Sequence, residues 1–226
     1  MGNRKIKIYP SILSADFSNL GQEIESVTEG GADGIHIDIM DGQFVPPITF
    51  GPMIVPFIRD KTHLPLDVHM MVVEPDRYFE ELVGFGVDSI TVHLESCKDI
   101  QRTLSILQTY DVVRCLAINP KTAQTALTPL LDYIDQVLIM SVEPGYGGQE
   151  FIPSSLTKIK EVKKILIEKK SNVALQVDGG VNGETIGKVS AAGADIVVAG
   201  SAVFNSQSTT ENINHLRKRA GEISKL

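Results

Sequence analysis

The regular alternation of short β-rich runs with longer helical segments is the feature that most constrains the fold of this 226-residue chain. Such alternation is typical of βαβ units, whose strands lie parallel in one sheet. Eight strands are predicted: Ile6–Pro10, Gly34–Ile39, Leu66–Met70, Ser89–Leu94, Val112–Ile118, Tyr133–Met140, Val173–Val177 and Ile196–Ala199. The clearest helical patterns cover Leu20–Thr28, Pro75–Phe85, Ile100–Gln108, Ser154–Lys169, Glu184–Ala192 and Thr210–Lys225.

A repeated turn supports the number of eight units. Gly31-Ala32-Asp33, Gly86-Val87-Asp88 and Gly193-Ala194-Asp195 each place a glycine and an aspartate before a predicted strand. The spacings between their glycines correspond to two and then four units of about 27 residues, a usual βα length in barrels. We therefore predict an α/β protein with one (β/α)8 TIM barrel domain over residues 1–226. An open doubly wound sheet is the alternative, but no GxGxxG motif follows the first strand.

Charge and composition exclude several classes of partner. The chain has 28 acidic and 21 basic side chains and a net charge of -7, and its Lys and Arg residues form no stripe of the kind that binds nucleic acid. The basic segment Met1–Lys7 leads into a short apolar stretch broken by Pro10, unlike a signal peptide or a membrane span. Cys97 and Cys115 lack CxxC spacing and are expected to be buried free thiols. We expect a cytoplasmic protein that binds neither nucleic acid nor membrane.

Potential metal ligands lie near the ends of predicted strands two, three and seven. Period-2 alternation places His36 and Asp38 on one face of strand two, while His69 and Asp178 lie near the ends of strands three and seven. The C-terminal ends of barrel strands meet at one mouth, where the active site of such barrels lies. Two imidazoles and two carboxylates suit Zn²⁺, Fe²⁺, Mn²⁺ or Co²⁺. We expect one divalent ion, with Zn²⁺ first, although ligand types alone do not choose among these metals.

Glycine-rich loops follow predicted strands six, seven and eight. The first loop contains Gly145, Tyr146, Gly147 and Gly148, the second contains Gly179 and Gly180, and the third contains Gly200 and Ser201. Glycine allows backbone N–H groups to approach an anion closely, and barrels often bind phosphate at this position. No Lys or Arg lies within these loops, so we expect backbone donors to bind a phosphate group.

Together these motifs resemble the ribulose-phosphate 3-epimerases over nearly the whole chain. They are Tyr9–Phe17, His36–Gly42, Asp67–Val72, Ile90–His93, Pro144–Gln149, Val177–Val181 and Val198–Phe204, in the family's order and spacing. The resemblance implies a barrel of the ribulose-phosphate-binding type and a metal-dependent epimerase of the pentose phosphate pathway. Its substrates would be D-ribulose 5-phosphate and D-xylulose 5-phosphate, and it would be a homo-oligomer.

The resemblance also assigns roles to individual residues. The implied metal ligands are His36, Asp38, His69 and Asp178, with Asp38 and Asp178 also the catalytic acid–base pair. The implied contacts to the sugar phosphate are Ser11, His69, Gly145, Tyr146, Gly147, Gly148, Asp178, Gly179, Gly180, Gly200 and Ser201. His93 matches a position that the family does not use as a ligand, so it is expected to be structural.

Met40, Met71 and Met140 lie at the ends of three predicted strands. Soft apolar side chains there are expected to form a hydrophobic cap that excludes water from the reaction intermediate, with core packing as the alternative.

Two other functions stay open. An epimerase acting on allulose 6-phosphate would share both sites and differ in the length of its substrate cleft. A non-catalytic barrel that binds a phosphorylated ligand or a metal would need no opposed carboxylates. Exchange of the substrate C3 proton with solvent deuterium separates an epimerase from a binding protein.

Overall fold

Eight parallel strands form the centre of the structure, a computed structural model that describes residues 5–222. The strands are β1 (Lys7–Pro10), β2 (Ile35–Met40), β3 (Leu66–Met71), β4 (Ser89–His93), β5 (Val113–Ile118), β6 (Gln136–Met140), β7 (Ala174–Asp178) and β8 (Ile196–Ala199). They pair in the order β1-β8-β7-β6-β5-β4-β3-β2, and a parallel bridge between Ser11 and His36 brings β1 and β2 together. The sheet is therefore a nearly closed barrel, and the predicted (β/α)8 fold is confirmed.

Helices follow the strands around the outside of the barrel. Within residues 5–222 the α-helices are α1 (Leu20–Glu29), α2 (Val55–Arg59), α3 (Phe79–Gly84), α4 (Ile100–Leu107), α5 (Ser155–Glu168), α6 (Ile186–Ala192) and α7 (Thr209–Glu222). The connection from β5 to β6 is a 3-10 helix, Gln124–Tyr133, which contains Pro129. No helix in this part of the chain has both the length and the apolar character needed to cross a bilayer.

The predicted elements differ from the structure where helices are short or tightly wound. The predicted helix Pro75–Phe85 begins as a 3-10 turn, and α3 starts only at Phe79. The predicted start of strand six at Tyr133 is wrong, because Tyr133 ends the 3-10 helix. Helical periodicity predicts neither that 3-10 helix nor the five-residue α2. The last residues of the predicted final helix, 223–225, lie outside the described residues.

The strands are buried on both faces, and each face has a different role. Ile35, Ile37 and Ile39 of β2 belong to the main apolar core, which also includes side chains of the surrounding helices. The alternate residues His36 and Asp38 are 0% and 3% exposed, and they contact other buried polar groups. Alternation along β2 therefore places polar chemistry inside the barrel and apolar packing outside it.

Four aspartates bind neighbouring strands together at the N-terminal end of the barrel. Asp33, Asp88, Asp135 and Asp195 precede β2, β4, β6 and β8, respectively. Each carboxylate accepts the N–H of one residue near the start of the preceding strand, at 2.8–3.0 Å, and each aspartate's own N–H donates to that residue's carbonyl. The four partner residues are Ile8, Leu66, Arg114 and Leu175. We call this two-bond arrangement an aspartate clamp.

Three of the clamps coincide with the repeated glycine–aspartate turn. Their glycines, Gly31, Gly86 and Gly193, have φ of 85°, 81° and 109°, in the left-handed region that favours glycine. The fourth, Asp135, has no such glycine, which is why the sequence repeat did not include it. The barrel thus consists of four similar two-strand segments, each closed by one clamp.

Both cysteines are free thiols. Cys115 is completely buried inside the barrel, as expected, whereas Cys97 is only partly buried.

Candidate active site

Four potential ligands meet at the C-terminal end of the barrel. His36 and Asp38 project from β2, His69 projects from β3, and Asp178 ends β7. One ligand atom from each residue lies within 4.8 Å of the other three. The two imidazoles are completely buried, while the Asp178 side chain keeps 16% of its surface exposed. The structure therefore brings the four predicted metal ligands into one cluster, defined here as the ligand cluster.

The separations within the ligand cluster fit one divalent ion. His36 Nε2 lies 3.3 Å from Asp38 Oδ1 and 3.4 Å from His69 Nδ1, and His69 Nδ1 lies 3.0 Å from Asp38 Oδ1. Asp178 Oδ2 lies 3.9 and 3.8 Å from the same two nitrogens. Ligands at about 2.1 Å from a tetrahedral ion are about 3.4 Å apart, so a small movement of Asp178 completes the arrangement.

The charges of the ligand cluster also favour a cation. Burial and the negative charge of Asp38 raise the pKa of Asp178 to about 7. Burial opposes ionisation of Asp38 as well, but His36 and His69 outweigh it and hold the pKa of Asp38 well below its usual range. Two buried carboxylates this close repel each other when both are ionised. A divalent cation between them would remove that repulsion.

His36 is held from behind by Asp67, a completely buried carboxylate that sequence reasoning did not select. His36 Nδ1 lies 2.8 Å from Asp67 Oδ2, while Ser89 and Gln176 donate to the Asp67 carboxylate at 2.5 and 2.7 Å. A proton on Nδ1 therefore points to Asp67, and Nε2 is left to face the ligand cluster. The period-2 alternation that places Asp67 on the same face as His69 was the available signal.

A cleft opens above the ligand cluster, and most of the predicted substrate contacts line it. These are Ser11, Gly145, Tyr146, Gly147, Asp178, Gly179, Gly180 and Gly200. The predicted catalytic residue Asp38 and Met40, Met71 and Met140 of the predicted cap line it as well. His36 and His69 are completely buried and do not form part of the wall. Gly148 and the exposed Ser201 also lie outside the wall. Leu13, Ser14 and Gln149 line the cleft too and had not been selected.

Ser11 orients one of the carboxylates. Its Oγ donates to Asp38 Oδ2 at 2.6 Å, and its backbone N–H donates to the carbonyl of Ala199 in β8. The same Oγ accepts the N–H of Leu13 at 3.3 Å, which caps a short 3-10 turn. Ser11 therefore fixes one oxygen of Asp38, while the other oxygen lies 3.0 Å from His69 Nδ1 within the ligand cluster.

The methionines of the predicted cap are buried at the base of the cleft. Met40 and Met71 form a small apolar cluster with Val45, and Leu13 and Phe44 pack against it. Met140 belongs to a separate cluster inside the barrel. Apolar side chains therefore border Asp38 and Asp178 on the cleft side.

The glycines of the loops predicted to bind phosphate are there for different structural reasons. Gly180 has φ of 65°, and a Cβ there would lie 2.4 Å from the backbone nitrogen of Phe151. A Cβ on Gly200 would lie 2.5 Å from Ser14 Oγ. A Cβ on Gly147 would meet Ser14 Oγ only at 3.6 Å, an ordinary contact. Gly180 is thus required by the close approach of the Phe151 backbone, a side chain at Gly200 would displace the Ser14 hydroxyl, and Gly147 leaves room beside the cleft.

Comparisons with known proteins agree with this arrangement. Residues 7–204 match the family described as ribulose-phosphate 3 epimerase. A ribulose-phosphate 3-epimerase of Bacillus subtilis is 49% identical over 213 residues, covering 94% of this chain and 98% of that protein. One of Synechocystis is 45% identical, covering 95% and 94%.

A solved structure of a tryptophan synthase α-subunit from Pyrococcus furiosus matches 98% of both chains with a TM-score of 0.66. At 19% identity it shows a common fold only. The family match and the named relatives, together with the barrel and the ligand cluster at its mouth, show that this chain belongs to the ribulose-phosphate 3-epimerase family and is an epimerase, an enzyme of the isomerase class.

Proposed function

We propose that this enzyme interconverts D-ribulose 5-phosphate and D-xylulose 5-phosphate by inverting the configuration at C3, a step of the pentose phosphate pathway. The names of its relatives support the substrate. The observation that carries the reaction is the position of two carboxylates, Asp38 and Asp178, on the non-adjacent strands β2 and β7 beside one cleft.

The reaction requires a proton beside a ketone to leave one face of the carbon and another to arrive on the opposite face. A single base is poorly placed to serve both faces. In each direction, one of Asp38 and Asp178 accepts the C3 proton and the other donates a proton to the opposite face. The hydrogen bond from Ser11 keeps Asp38 oriented toward the substrate carbon. Exchanging the two roles reverses the reaction.

His36, Asp38, His69 and Asp178 would hold one divalent metal ion, with Zn²⁺ first among the ions that suit this set. Bound there, the ion would supply Lewis acidity that stabilises negative charge on the ketone oxygen. Met40, Met71 and Met140 keep bulk water away from the same part of the substrate.

The glycine loops bind the phosphate group through backbone N–H groups. Support comes from the wall of the cleft, which contains Gly147, Gly180 and Gly200 and, among residues 5–222, includes no lysine or arginine. Gly148 and Ser201 are also proposed contacts. They lie outside the wall of the cleft, so a bound substrate would have to extend beyond it to reach them. Binding at the phosphate positions C3 between the carboxylates, so unphosphorylated ribulose is expected to be a poor substrate.

The deciding experiment incubates metal-reconstituted protein with ribulose 5-phosphate in D2O. We expect xylulose 5-phosphate to form with deuterium at C3, as measured by NMR. Protein that neither forms product nor exchanges the C3 proton would contradict the proposal and favour a binding protein. Allulose 6-phosphate is assayed in parallel, and a higher kcat/KM for it would reassign the substrate to a six-carbon ketose phosphate.

We also propose a cytoplasmic, homo-oligomeric enzyme. Large apolar side chains support association of copies, since Ile48, Met53 and Phe57 are 77%, 69% and 67% exposed. Light scattering measures the mass directly. A mass near 24.6 kDa at micromolar concentration would contradict the homo-oligomer.

A further inference from the structure

His93 is a completely buried histidine that lies directly behind His69 at the end of β4. The two Nε2 atoms are 2.8 Å apart, and the ring planes are 22° from parallel. The ring centroids are 4.9 Å apart, which is about the nitrogen separation plus one ring radius at each end. The rings therefore meet edge to edge through one N–H···N hydrogen bond.

The opposite edge of His93 faces a carboxylate. His93 Nδ1 lies 3.4 Å from Glu95 Oε2. The other oxygen of Glu95 accepts the backbone N–H of Asn119 at 2.8 Å and the hydroxyl of Thr122. The Glu95 side chain is 23% exposed. A hydrogen-bonded chain from His69 through His93 to Glu95 thus connects the ligand cluster to the surface.

With both imidazoles neutral, the protons of the His69–His93–Glu95 hydrogen-bonded chain can be arranged in two ways. A neutral imidazole carries one N–H and one lone pair, while an ionised carboxylate only accepts. A proton on His93 Nδ1 therefore satisfies Glu95 and leaves His93 Nε2 as an acceptor. His69 must then donate from Nε2, so its Nδ1 keeps a lone pair directed at the ligand cluster.

The reverse arrangement does not suit a metal site. It would place the His69 proton on Nδ1, toward Asp38, and would turn the lone pair of His93 Nδ1 against the Glu95 carboxylate. The position of Glu95 therefore favours the arrangement in which His69 is ready to bind an ion.

We propose that His93 and Glu95 are positioning residues that hold His69 in its metal-binding tautomer. This inference rests on the proposed metal site and adds residues to it. Asp67 acts on His36 in the same sense but at the other nitrogen, since Asp67 faces Nδ1 of His36 whereas His93 faces Nε2 of His69. The structural role expected for His93 is thus to fix which nitrogen of His69 carries the proton.

The test measures the dissociation constants of Zn²⁺ and Co²⁺ by competition with a chromophoric chelator. In His93→Leu the His69 N–H loses its acceptor, and we expect metal affinity to fall about 10–100-fold. In His93→Gln the side-chain amide oxygen can replace the acceptor Nε2, and we expect affinity close to that of the wild type. Thr91→Val, equally buried and two residues earlier on β4, is the matched control and should bind metal normally.

Three outcomes would overturn the inference. Unchanged affinity in folded His93→Leu would remove the role of His93 while leaving the metal site intact. An equal loss in His93→Gln and His93→Leu would show that His93 only fills space. Failure of the wild-type protein to bind either ion would remove the metal site as well.

A second readout is independent of affinity. In ¹⁵N-histidine NMR of the Zn²⁺ protein, we expect His69 to carry its proton on Nε2 and His93 to carry its proton on Nδ1. Glu95→Gln removes the charge that selects this arrangement, so the His93 Nδ1 resonance should shift. A proton on His93 Nε2 in the wild-type Zn²⁺ protein would contradict the proposal.

Discussion

Each histidine of the ligand cluster has a hydrogen-bond partner at one ring nitrogen, and that partner determines that the other nitrogen faces the metal site. His36 presents Nε2 because Asp67 lies behind Nδ1, and His69 presents Nδ1 because His93 lies behind Nε2. The strands place these residues, but their hydrogen-bond partners orient them. Chemistry at this scale therefore depends on completely buried side chains that lie outside the wall of the cleft.

Exchange of either central carboxylate for an amide tests the proposed acid–base pair. Asp38→Asn and Asp178→Asn should each lower kcat at least about 100-fold, because an amide cannot accept the C3 proton and is a poorer metal ligand. Steady-state assay of xylulose 5-phosphate formation measures the loss. Asp60→Asn, an exposed aspartate on the outside of the barrel, is the control and should keep normal activity. Losses below about tenfold in both active-site variants would refute the two-base assignment.

The sequence predicts these residues better than it predicts their geometry. The strict alternation of β2 and β3 identifies His36, Asp38 and His69 as neighbours on an inward face. It contains no information on ring orientation, which depends on rotamers and on contacts from other strands. For that reason Asp67 was not selected and His93 was assigned only a structural role.

At the scale of elements, the loops after the strands contain two kinds of glycine: those needed for folding and those available to the proposed phosphate site. Gly180 approaches the backbone of Phe151 too closely to carry a side chain, so its replacement would mix folding with binding. Gly147 does not have a positive φ and leaves ordinary space around a Cβ. Gly147 is therefore the cleaner position for a test of phosphate binding.

Gly147→Val should raise KM for ribulose 5-phosphate while leaving bound metal unchanged. Loss of one backbone hydrogen bond to a charged group costs about 1.5–3 kcal/mol, equivalent to about 10-fold to 150-fold in affinity. Kinetics and metal analysis on the same preparation give the two numbers. Gly84→Val is the control, because a Cβ at this exposed position in α3 meets nothing within 4 Å. Wild-type KM in a folded Gly147→Val protein would remove this loop from the phosphate site.

The aspartate clamps predict a stability effect far from the active site. Asp195→Ala removes the acceptor for the buried N–H of Leu175 and should lower the free energy of unfolding by about 1–3 kcal/mol. Asp195→Asn keeps an acceptor oxygen for that N–H and removes the charge that pairs with Lys163, so its loss of stability should be smaller. Urea unfolding measures both, with the exposed Asp111→Ala as the control. Equal losses in the Ala and Asn variants would mean that the ion pair, and not the clamp, stabilises this corner.

The accuracy of element prediction follows the strength of the periodic signal. Long amphipathic helices such as α1 and α5 were predicted to within one residue at each end. The five residues of α2 are too few for a 3.6-residue period to be recognised, and 3-10 turns follow another period. The clamp at Asp135 was missed because its turn contains no glycine.

In the whole molecule, the two ends of the barrel have different roles. Clamps at the N-terminal end connect strands, while the ligand cluster and the glycine loops occupy the C-terminal end. Most barrels divide stability and function in this way. Changes at one end should therefore have little effect on the other, apart from the stabilisation that a bound ligand gives to the entire fold.

Metal binding at the C-terminal end is therefore predicted to stabilise the entire fold. Adding Zn²⁺ or Co²⁺ to metal-free protein at about 100 times its dissociation constant should stabilise the folded state by about 2.7 kcal/mol. In a chain of this size that corresponds to a rise in Tm of about 5–11 °C, measured by differential scanning calorimetry. Asp178→Asn should show a smaller rise, since one ligand is weakened. An unchanged Tm, together with activity after verified metal removal, would contradict a metal-dependent enzyme.

The aspartate clamps also bear on the order in which the chain folds. Each clamp joins residues only 20–25 positions apart, within one two-strand segment. Closing such short loops costs little chain entropy, so these pairs can form early and independently. The pairing of Lys7 with Ile196 joins nearly opposite ends of the chain. Closing this long loop costs less chain entropy after the local segments have formed, because they shorten the flexible part of the chain. We therefore expect the closing of the ring, rather than the formation of its four local pieces, to be the slow event of folding.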